Sequence, residues 1–452
     1  MTLEEDVVVL RAENGALRTE NAALREQLGQ LSERLEAVEK KKTPAPAFVR
    51  PNRVVPEKKG RLARAAEHNA GRGREEPTRI VRHALAACPD CGYALRGESI
   101  GRTREVIDLP EPVPVEVTEQ QFITRHCPAC DRWHMPRWEP TGQALGQGRI
   151  GVRLVSLIGY LRTTLRLPLR QIQDLLATLH QVRLSVGAIA DVLRRLHIHG
   201  AAARADLHAQ ARRERVAHMD ETGWRENGQN GYVWTLATTG PDAVRLFAYD
   251  RSRAGSVATD LLGDFSGHLV TDFSGGYNRY EGKHQRCWVH FLRDLHALKE
   301  TYPHHALVVG WARAVRALYD QGRQDGSVLE TSAQRDARAQ RLGTRATRLG
   351  LRYAGPHNKG HPCHALAQRL LRHRGELFEF LRVSGLAPDN NLAERTIRPF
   401  VIARKISGGS RSPEGSETRM GLASLFATWQ ARALNPFQAC LSLLSQPPLQ
   451  QI

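Results

Sequence analysis

The most constraining feature of the sequence is a change of pattern near residue 215, where short strand-like runs replace helical ones. Three runs rich in apolar and β-branched residues are separated by the turn-rich segments RENGQNG and TTGPD. Such runs with intervening turns predict an antiparallel three-stranded meander. A helical pattern and two further strand-like runs follow. The predicted strands cover residues 215–220, 232–237, 243–249, 268–272 and 285–289, and the predicted helix between the third and fourth covers residues 255–262.

This order of elements narrows the choice of fold. Three antiparallel strands, a crossover helix and a further strand are the order of a ribonuclease H-like α/β domain. Helical patterns then interrupt the domain, because long amphipathic stretches precede the next polar cluster at residue 388. The predicted helices of this insertion cover residues 306–321, 331–349 and 364–383, and two tail helices cover residues 417–431 and 436–444, with Asn435 as the cap of the last one.

Three acidic residues mark the edges of these elements. Asp220 and Asp272 each stand where a strand-like run ends, and Glu394 opens the helical pattern in DNNLAERTIRP, after a cap from residues 388–391. Phosphodiester chemistry commonly uses two Mg²⁺ ions about 4 Å apart, held by carboxylate oxygens. The three acids suit such a site. The sequence alone leaves the alternatives open that they are a strand-end, a turn-starting and a first-turn helix acid, with Glu221 in place of Asp220.

The amino-terminal segment carries a heptad repeat of apolar residues, flanked by opposite charges at the spacing of a parallel coil. We predict that residues 1–40 form a two-stranded coiled coil that joins two copies of the chain. A single amphipathic helix packed on its own chain is the alternative. The seam positions are Leu3, Val7, Leu10, Asn14, Leu17, Asn21, Leu24, Leu28, Leu31, Leu35 and Val38.

Positive charge dominates the next segment and the chain as a whole. Residues 40–79 contain 12 Lys or Arg against 4 Asp or Glu, together with five prolines. Such a composition has little to bury, so it predicts a flexible basic linker over residues 41–80. The formal net charge of the whole chain is +18, which favours a polyanionic partner such as nucleic acid. Whether the linker contacts phosphates or is merely solvated stays open.

Two Cys-x-x-Cys pairs follow the linker. Cys88 and Cys91 form the first pair, and Cys127 and Cys130 form the second. Four thiolates on two tight turns suit a closed tetrahedral Zn²⁺ site, so we predict a structural, zinc-ribbon-like β module over residues 81–140. The strands expected between the pairs cover residues 106–109, 115–118 and 121–125. A redox role for either pair is the weaker alternative.

Residues 141–210 are predicted to be helical. Helices at residues 152–161, 169–179 and 186–196, the last capped by Ser185, resemble a helix-turn-helix arrangement that reads DNA. A helical linker domain would give the same pattern. No apolar run approaches the roughly 18–20 residues that a membrane span requires, and the first residues do not form a secretory signal. We therefore expect a cytoplasmic protein without a membrane partner.

Several motifs in the second half of the chain resemble a known family. The segment 388–399, PDNNLAERTIRP, is followed by Arg404 and Lys405, and the segment 218–222 reads HMDET. Thr271-Asp272 and the segment 287–290, CWVH, form a further block. On these residues the chain resembles bacterial transposases of the insertion sequence 66 family over nearly its whole length. Phe273, Ser274, Val289 and Leu292 depart from the pattern expected there.

The resemblance implies a DDE transposase in which Asp220, Asp272 and Glu394 are the catalytic ligands of two Mg²⁺ or Mn²⁺ ions. It implies cleavage at insertion-element ends and transfer of the strand into target DNA, in the bacterial cytoplasm at the nucleoid, and leaves room for accessory transposition proteins. A cluster of cations beside Glu394 is a candidate for binding phosphates, with a solvated helix face as the alternative. These cations are Arg395, Arg398, Arg404 and Lys405.

We therefore predict a multidomain α+β chain with a coiled coil, a basic linker, a zinc module, a helical region, a ribonuclease H-like catalytic domain and a tail. Two alternatives to the transposase remain. One is a non-catalytic, dimeric, zinc-containing DNA-binding regulator derived from a transposase, and the other is a nuclease without strand transfer. The predicted boundaries are residues 1–40, 41–80, 81–140, 141–210, 211–410 with a helical insertion at about 300–385, and 411–452.

Overall fold

The computed structural model of the protein describes residues 76–446 apart from residues 101, 108–113, 147 and 327–330, and in addition Ala22 and Glu26, which are helical. The predicted coiled coil and most of the predicted linker lie outside the described residues. The chain divides into two compact units, Met1–Leu109 and Pro110–Ile452. The described part of the first unit has a single isolated bridge between Ala87 and Ala94.

The first strands described in the second unit, β1 (Arg125–Cys127) and β2 (Arg132–His134), form a small antiparallel hairpin. Residues 114–124 precede this hairpin and contain no strand. The strand predicted at 115–118 is therefore wrong, and of the strand predicted at 121–125 only Arg125 belongs to a strand. Most side chains of this segment are exposed, and no strand among the described residues pairs with it. Alternation in the sequence cannot produce a strand without backbone hydrogen bonds and a face to bury.

Four helices come next: α1 (Val152–Thr163), α2 (Leu169–His180), α3 (Val186–His199) and α4 (Ala201–Arg213). The first three confirm the sequence prediction to within a few residues. The Ser185 side chain accepts a hydrogen bond from the Ala188 N–H at 3.0 Å, so the predicted cap of α3 is confirmed.

A five-stranded mixed sheet forms the centre of the second unit. Its strands are β3 (Val216–Glu226), β4 (Gln229–Thr238), β5 (Arg245–Asp250), β6 (His268–Thr271) and β7 (Lys283–Arg286), in the order β5-β4-β3-β6-β7. The first three strands are antiparallel, whereas β6 and β7 run parallel to β3. Helix α5 (Gly255–Leu262) makes the crossover from β5 to β6, at the residues predicted.

The ends of β3 and β7 differ from the sequence prediction. β3 does not end at Asp220 but continues to Glu226, because β4 pairs with it as far as Glu226–Gln229. Asn227 and Gly228 close this hairpin with φ angles of 49° and 78°, the geometry of a two-residue turn. The last predicted strand is wrong at residues 287–289, since β7 ends at Arg286 and a helix begins at Trp288.

The remaining chain is helical where it is described. Helices α6 to α10 form the insertion, and α11 to α13 follow it, with Asn435 capping α13 as predicted. The single helix predicted over residues 364–383 is broken after Arg372, and the segment between the two pieces turns Glu376 toward Arg286. The helices are α6 (Trp288–Thr301), α7 (Ala306–Gly326), α8 (Ser332–Ala354), α9 (His364–Arg372), α10 (Glu379–Arg382), α11 (Asn391–Ser407), α12 (Pro413–Ala431) and α13 (Pro436–Leu444).

Helices cover both faces of the sheet. Leu269 packs into a core shared with α1–α5 and the two last helices, whereas its neighbour Val270 packs against the insertion around Trp288. A third cluster, with Trp224 and Phe400, joins the long end of the β3–β5 meander to α11 and α12. The described residues therefore form a mixed α/β arrangement. Every helix among them is too short or too polar to span a membrane.

Candidate active site

Asp220 and Asp272 belong to neighbouring parallel strands. β3 pairs with β6 through Ala217–Leu269 and His218–Val270, and the same register two residues further brings Asp220 level with Asp272. Neighbouring strands lie about 4.8 Å apart. β6 has ended at this level, and the Asp272 carboxylate accepts the Ser274 N–H at 2.8 Å in the turn that follows. Two carboxylates therefore stand at the carboxyl edge of the parallel pair.

Glu394 reaches the same edge because α11 is fastened to β3. The fully buried Asn390 precedes α11, and within the predicted capping segment 388–391 its side chain does not cap the helix, whereas Asp389 Oδ1 accepts the Asn391 N–H at 3.1 Å. The Asn390 side chain donates instead to the Met219 carbonyl at 2.7 Å and contacts His218 Nδ1 at 3.3 Å. This bond is made one residue before Asp220, so the first turn of α11, with Glu394, begins beside that carboxylate.

The three acids share one electrostatic environment. Burial, and then the negative charges of Glu221, Asp272 and Glu394, raise the pKa of Asp220 to about 7. The N–H of Glu221, which the Asp220 carboxylate accepts at 2.9 Å, only partly opposes this rise. Carboxylates crowded in this way repel one another until a proton or a cation joins them.

Glu221, the alternative acid at this position, already has a cationic partner within the protein. Its side chain is 2% exposed and forms an ion pair of 2.6 Å with Arg253. The Tyr277 hydroxyl also donates to it. Among the described residues, Glu221 is therefore paired with a cationic side chain, whereas Asp220 is not.

A buried arginine that the sequence reasoning missed holds the Asp272 turn in place. Arg286 is 2% exposed in its side chain and donates to the Asp272 carbonyl at 2.9 Å and to Thr271 Oγ1 at 3.1 Å. It also donates to Asn278 Oδ1 at 2.7 Å and to Glu376 Oε2 at 2.6 Å. The only signal in the sequence was a basic residue inside a strand-like run, which is unusual unless its charge is paired.

His290 lies beside Glu394 and extends the donor set. Its Nδ1 is 3.7 Å from Glu394 Oε1, and both atoms are buried without a hydrogen-bond partner in the described part of the chain. With Cys287 Sγ these atoms lie within 4.8 Å of one another. Buried polar atoms without partners are costly, and a metal ion between them would satisfy both. Carboxylate oxygen, imidazole nitrogen and thiol sulfur are together a set of metal-ligand types.

The predicted DNA-contacting cations fall into two groups. Arg395, Arg398 and Lys405 are exposed along α11, with Arg398 and Lys405 on the side of the helix that carries Glu394. Arg404 is half-buried and donates to the Gly223 carbonyl of β3. The first three are in position to meet a ligand in solvent, whereas at least part of the Arg404 guanidinium serves to hold α11 on the sheet.

Each Cys-x-x-Cys pair occupies a tight turn within its own unit. In the first pair, the Cys88 N–H donates to the Tyr93 carbonyl at 2.8 Å, and the backbone N–H groups of Asp90 and Cys91 lower the pKa of the Cys88 thiol. In the second, the turn between β1 and β2 carries Cys127 and Cys130, and the N–H groups of Cys130 and Ala129 lower the pKa of the Cys127 thiol. Both turns favour thiolates, the form that binds metal.

A cavity among the described residues lies away from the acids. Its volume is about 610 Å³, and none of Asp220, Asp272 and Glu394 lines it. The acids stand instead at the carboxyl edge of the parallel strands. A deep cavity suits a small ligand, whereas a long polymeric substrate needs an edge along which it can lie. The carboxylates therefore remain the better candidate for chemistry on nucleic acid.

Comparison with known sequences agrees with the resemblance seen in the motifs. The sequence model of the Transposase IS66 family matches residues 147–418, more than half of the 452 residues. This range contains the sheet, the insertion and α11, and so includes all three acids. No curated protein matches the chain. The chain belongs to the Transposase IS66 family.

Proposed function

We propose that the protein is a DDE transposase that cleaves at insertion-element ends and transfers the freed strand into target DNA. One observation carries the proposal. Asp220, Asp272 and Glu394, from segments far apart in the sequence, lie near the carboxyl edge of the parallel β3–β6 pair, close enough for the charges of Asp272 and Glu394 to raise the pKa of Asp220. The sheet order is the one expected of a ribonuclease H-like domain, and family membership supports a transposase-related activity.

The donor set at this edge fits divalent metal ions. Asp220, Asp272 and Glu394 would hold two Mg²⁺ or Mn²⁺ ions, with His290 Nδ1 next to the Glu394 carboxylate. Bound metal activates an attacking oxygen and neutralises a departing one in phosphodiester chemistry. The raised pKa of Asp220 supports this role, because burial and then the neighbouring negative charges disfavour its carboxylate, and a bound cation would stabilise it.

The surrounding residues keep the acids in place and attract the substrate. Arg286 fixes the Asp272 turn, and Asn390 fixes the start of α11 against β3. Both are buried, so their hydrogen bonds hold geometry rather than contact DNA. Arg395, Arg398 and Lys405 would pair with phosphates of the bound strand, and this contribution would weaken as salt rises.

The test is cleavage of the element's own ends by the full chain with Mg²⁺ or Mn²⁺. Asp220→Asn, Asp272→Asn and Glu394→Gln should each lower cleavage by about 10³-fold or more, as for residues that act as a unit. DNA affinity in filter binding should change little. Asp260→Asn, an exposed acid on α5, is the matched control and should cut normally. Retained cutting in any of the three variants contradicts the assignment.

The same assay separates the alternatives. Wild-type protein that binds the ends but gives no product with either metal would point to the non-catalytic, zinc-containing regulator. Nicked ends without joined products would point to a nuclease without strand transfer. The retained trio of acids favours an enzyme, because a regulator has no use for carboxylates that repel one another and the DNA.

We also propose that Cys88, Cys91, Cys127 and Cys130 bind one structural Zn²⁺. Support comes from each pair separately, because backbone N–H groups lower the pKa of Cys88 and of Cys127. Metal analysis of the full chain should find one zinc per chain, lost in Cys88→Ser and retained in the control His126→Asn. Zinc-free wild-type protein with intact structure would contradict this. The proposed transposase function also includes a location in the bacterial cytoplasm at the nucleoid and accessory transposition proteins as partners.

A further inference from the structure

The cavity of about 610 Å³ lies on the face of α11 that is turned away from Glu394. At 100° per residue, Thr396, Phe400 and Ala403 point to the side opposite Glu394, and all three line the cavity. Helices α1, α3 and α12 supply most of the remaining wall. The rim at Arg411 and Ser412 is exposed, so the cavity opens to solvent.

Two arginines in the wall carry charge that the protein does not balance. Among the described residues, neither Arg162 nor Arg419 has a carboxylate within ion-pair distance. Arg162 donates to the Leu167 carbonyl at 2.9 Å, whereas Arg419 lies over the Trp224 and Phe400 rings at 5.1 and 6.0 Å. Arg419 Nη1 is buried without any hydrogen-bond partner in the described chain.

The guanidinium groups stay charged in spite of this environment. Burial lowers the pKa of Arg162 to about 10, and burial and then the charge of Arg162 lower the pKa of Arg419 to about 9. Both values lie well above neutral pH. The two acids in the wall do not compensate, since Asp191 binds Arg194 and Arg195 at 2.7 Å and Glu414 lies 3.5 Å from Arg194. An unbalanced buried charge is costly unless a ligand supplies the counter-charge.

We propose that this cavity binds a nucleotide, with its phosphate on Arg162 and Arg419 and its base against the apolar wall. The phosphate follows from two guanidinium groups without a carboxylate partner among the described residues, in the wall of one cavity, since guanidinium groups match phosphate geometry. The base follows from the volume, which far exceeds that of a phosphate ion, and from a wall rich in apolar side chains. These side chains are Leu169, Leu193, Phe400, Leu422 and Phe426.

Two sources would supply this chemistry: a free nucleotide, or one unpaired nucleotide of bound DNA. The nucleotide site stands without the proposed reaction, and only the DNA source rests on it. Because the cavity and Glu394 are on opposite sides of one helix, an occupant would contact α11 without contacting the acids. Asp220→Asn should therefore abolish cleavage and leave nucleotide binding unchanged, which separates a failure of the proposed function from a failure of the cavity site.

The experiment is calorimetric titration of the full chain with dAMP, deoxyadenosine and inorganic phosphate. We expect dAMP to bind at least tenfold more tightly than either of the other two. Arg162→Gln and Arg419→Gln should each weaken dAMP binding about tenfold or more, as for loss of a charge-assisted hydrogen bond. Arg170→Gln, an exposed arginine of α2 outside the cavity, should bind as the wild type. Absence of dAMP binding, or equal binding of phosphate alone, overturns the proposal.

A measurement on the wild-type chain covers the case in which the variants fold poorly. Arginine modification by phenylglyoxal, mapped by mass spectrometry, should be slowed at Arg162 and Arg419 by dAMP and not by deoxyadenosine. Unprotected modification at both arginines contradicts the site. To identify the source, an oligonucleotide with one unpaired terminal nucleotide should displace dAMP, and the same duplex with an abasic terminal residue should not. Failure of both to displace dAMP assigns the cavity to free nucleotide.

Discussion

Replacement of Arg286 by methionine is the sharpest test of how the Asp272 edge is built. The guanidinium makes hydrogen bonds to the Asp272 carbonyl, Thr271, Asn278 and Glu376, all between 2.6 and 3.1 Å, in a side chain that is 2% exposed. Methionine fills much of the same volume but donates nothing. Each buried acceptor left without a partner costs roughly 1–3 kcal/mol.

The expected loss of unfolding free energy is about 3–5 kcal/mol, the range for a broken buried ion pair. Loss of the bond to Glu376 should cost only the lower part of this range, because the Glu376 side chain is 33% exposed. Its carboxylate also keeps the contact with His373 Nδ1 at 3.1 Å. Urea denaturation followed by circular dichroism measures the loss. Arg316→Met is the control, since Arg316 and Asp320 are about half exposed and such a pair contributes about 0–1 kcal/mol.

The same variant should impair the site before it unfolds the protein. Loosening the Asp272 turn should weaken metal-dependent cleavage by about 10–100-fold, the usual effect of removing a residue that orients a metal ligand. Cleavage should be measured below the unfolding midpoint. An Arg286→Met protein within 1 kcal/mol of wild type, with normal cleavage, would refute the view that this arginine holds the edge together.

Three further predictions concern the fold and assembly. Gly409→Ala should destabilise far more than Gly385→Ala in thermal melts, because φ is positive at both but an added Cβ at Gly409 would overlap the Arg225 carbonyl while that at Gly385 meets open space. Burial, and then the charge of Arg286, lower the pKa of His284 to about 4, so the stability that neutral His284 contributes is present above pH 6.5 and is lost as pH falls toward 4. His284→Gln should flatten this pH dependence of the unfolding free energy in denaturation experiments, and an unchanged slope would contradict the prediction. Removal of residues 1–39 should reduce dimerisation in sedimentation, and an unchanged dimer would mean that another surface joins the copies.

Features encoded by neighbouring residues were predictable from the sequence. Ser185 and Asn435 were predicted as helix caps, and both predictions are confirmed. A cap can be predicted because it depends only on the next few residues. The crossover helix α5 was equally local. The end of β3 was not, because its length depends on pairing with β4, and the alternation of the sequence does not record where pairing stops.

The candidate site divides in the same way. Asp220, Asp272 and Glu394 were selected by motif, and the parallel register explains how two of them come level. The residues that hold them escaped notice. Arg286 binds Glu376, 90 positions later, and Asn390 was predicted only as part of the capping segment 388–391, although its side chain donates to Met219 of β3, 171 positions earlier. Contacts at such separations exist only after the chain has folded, so no local pattern announces them.

The position of Asp220 in the middle of β3 has a consequence for ion choice. At Asp220 the strand pairs with Thr235 of β4, and this pairing holds the backbone that carries the carboxylate in a fixed position. Asp272 stands on a turn and Glu394 in the first turn of a helix, so adaptation to ionic radius falls to those two. Mg²⁺ demands oxygen at about 2.0–2.1 Å and Ca²⁺ at about 2.3–2.6 Å. If the proposed metal ions bind, Asp220 would supply the fixed ligand position, and Asp272 and Glu394 would supply the positions that adjust to the ionic radius.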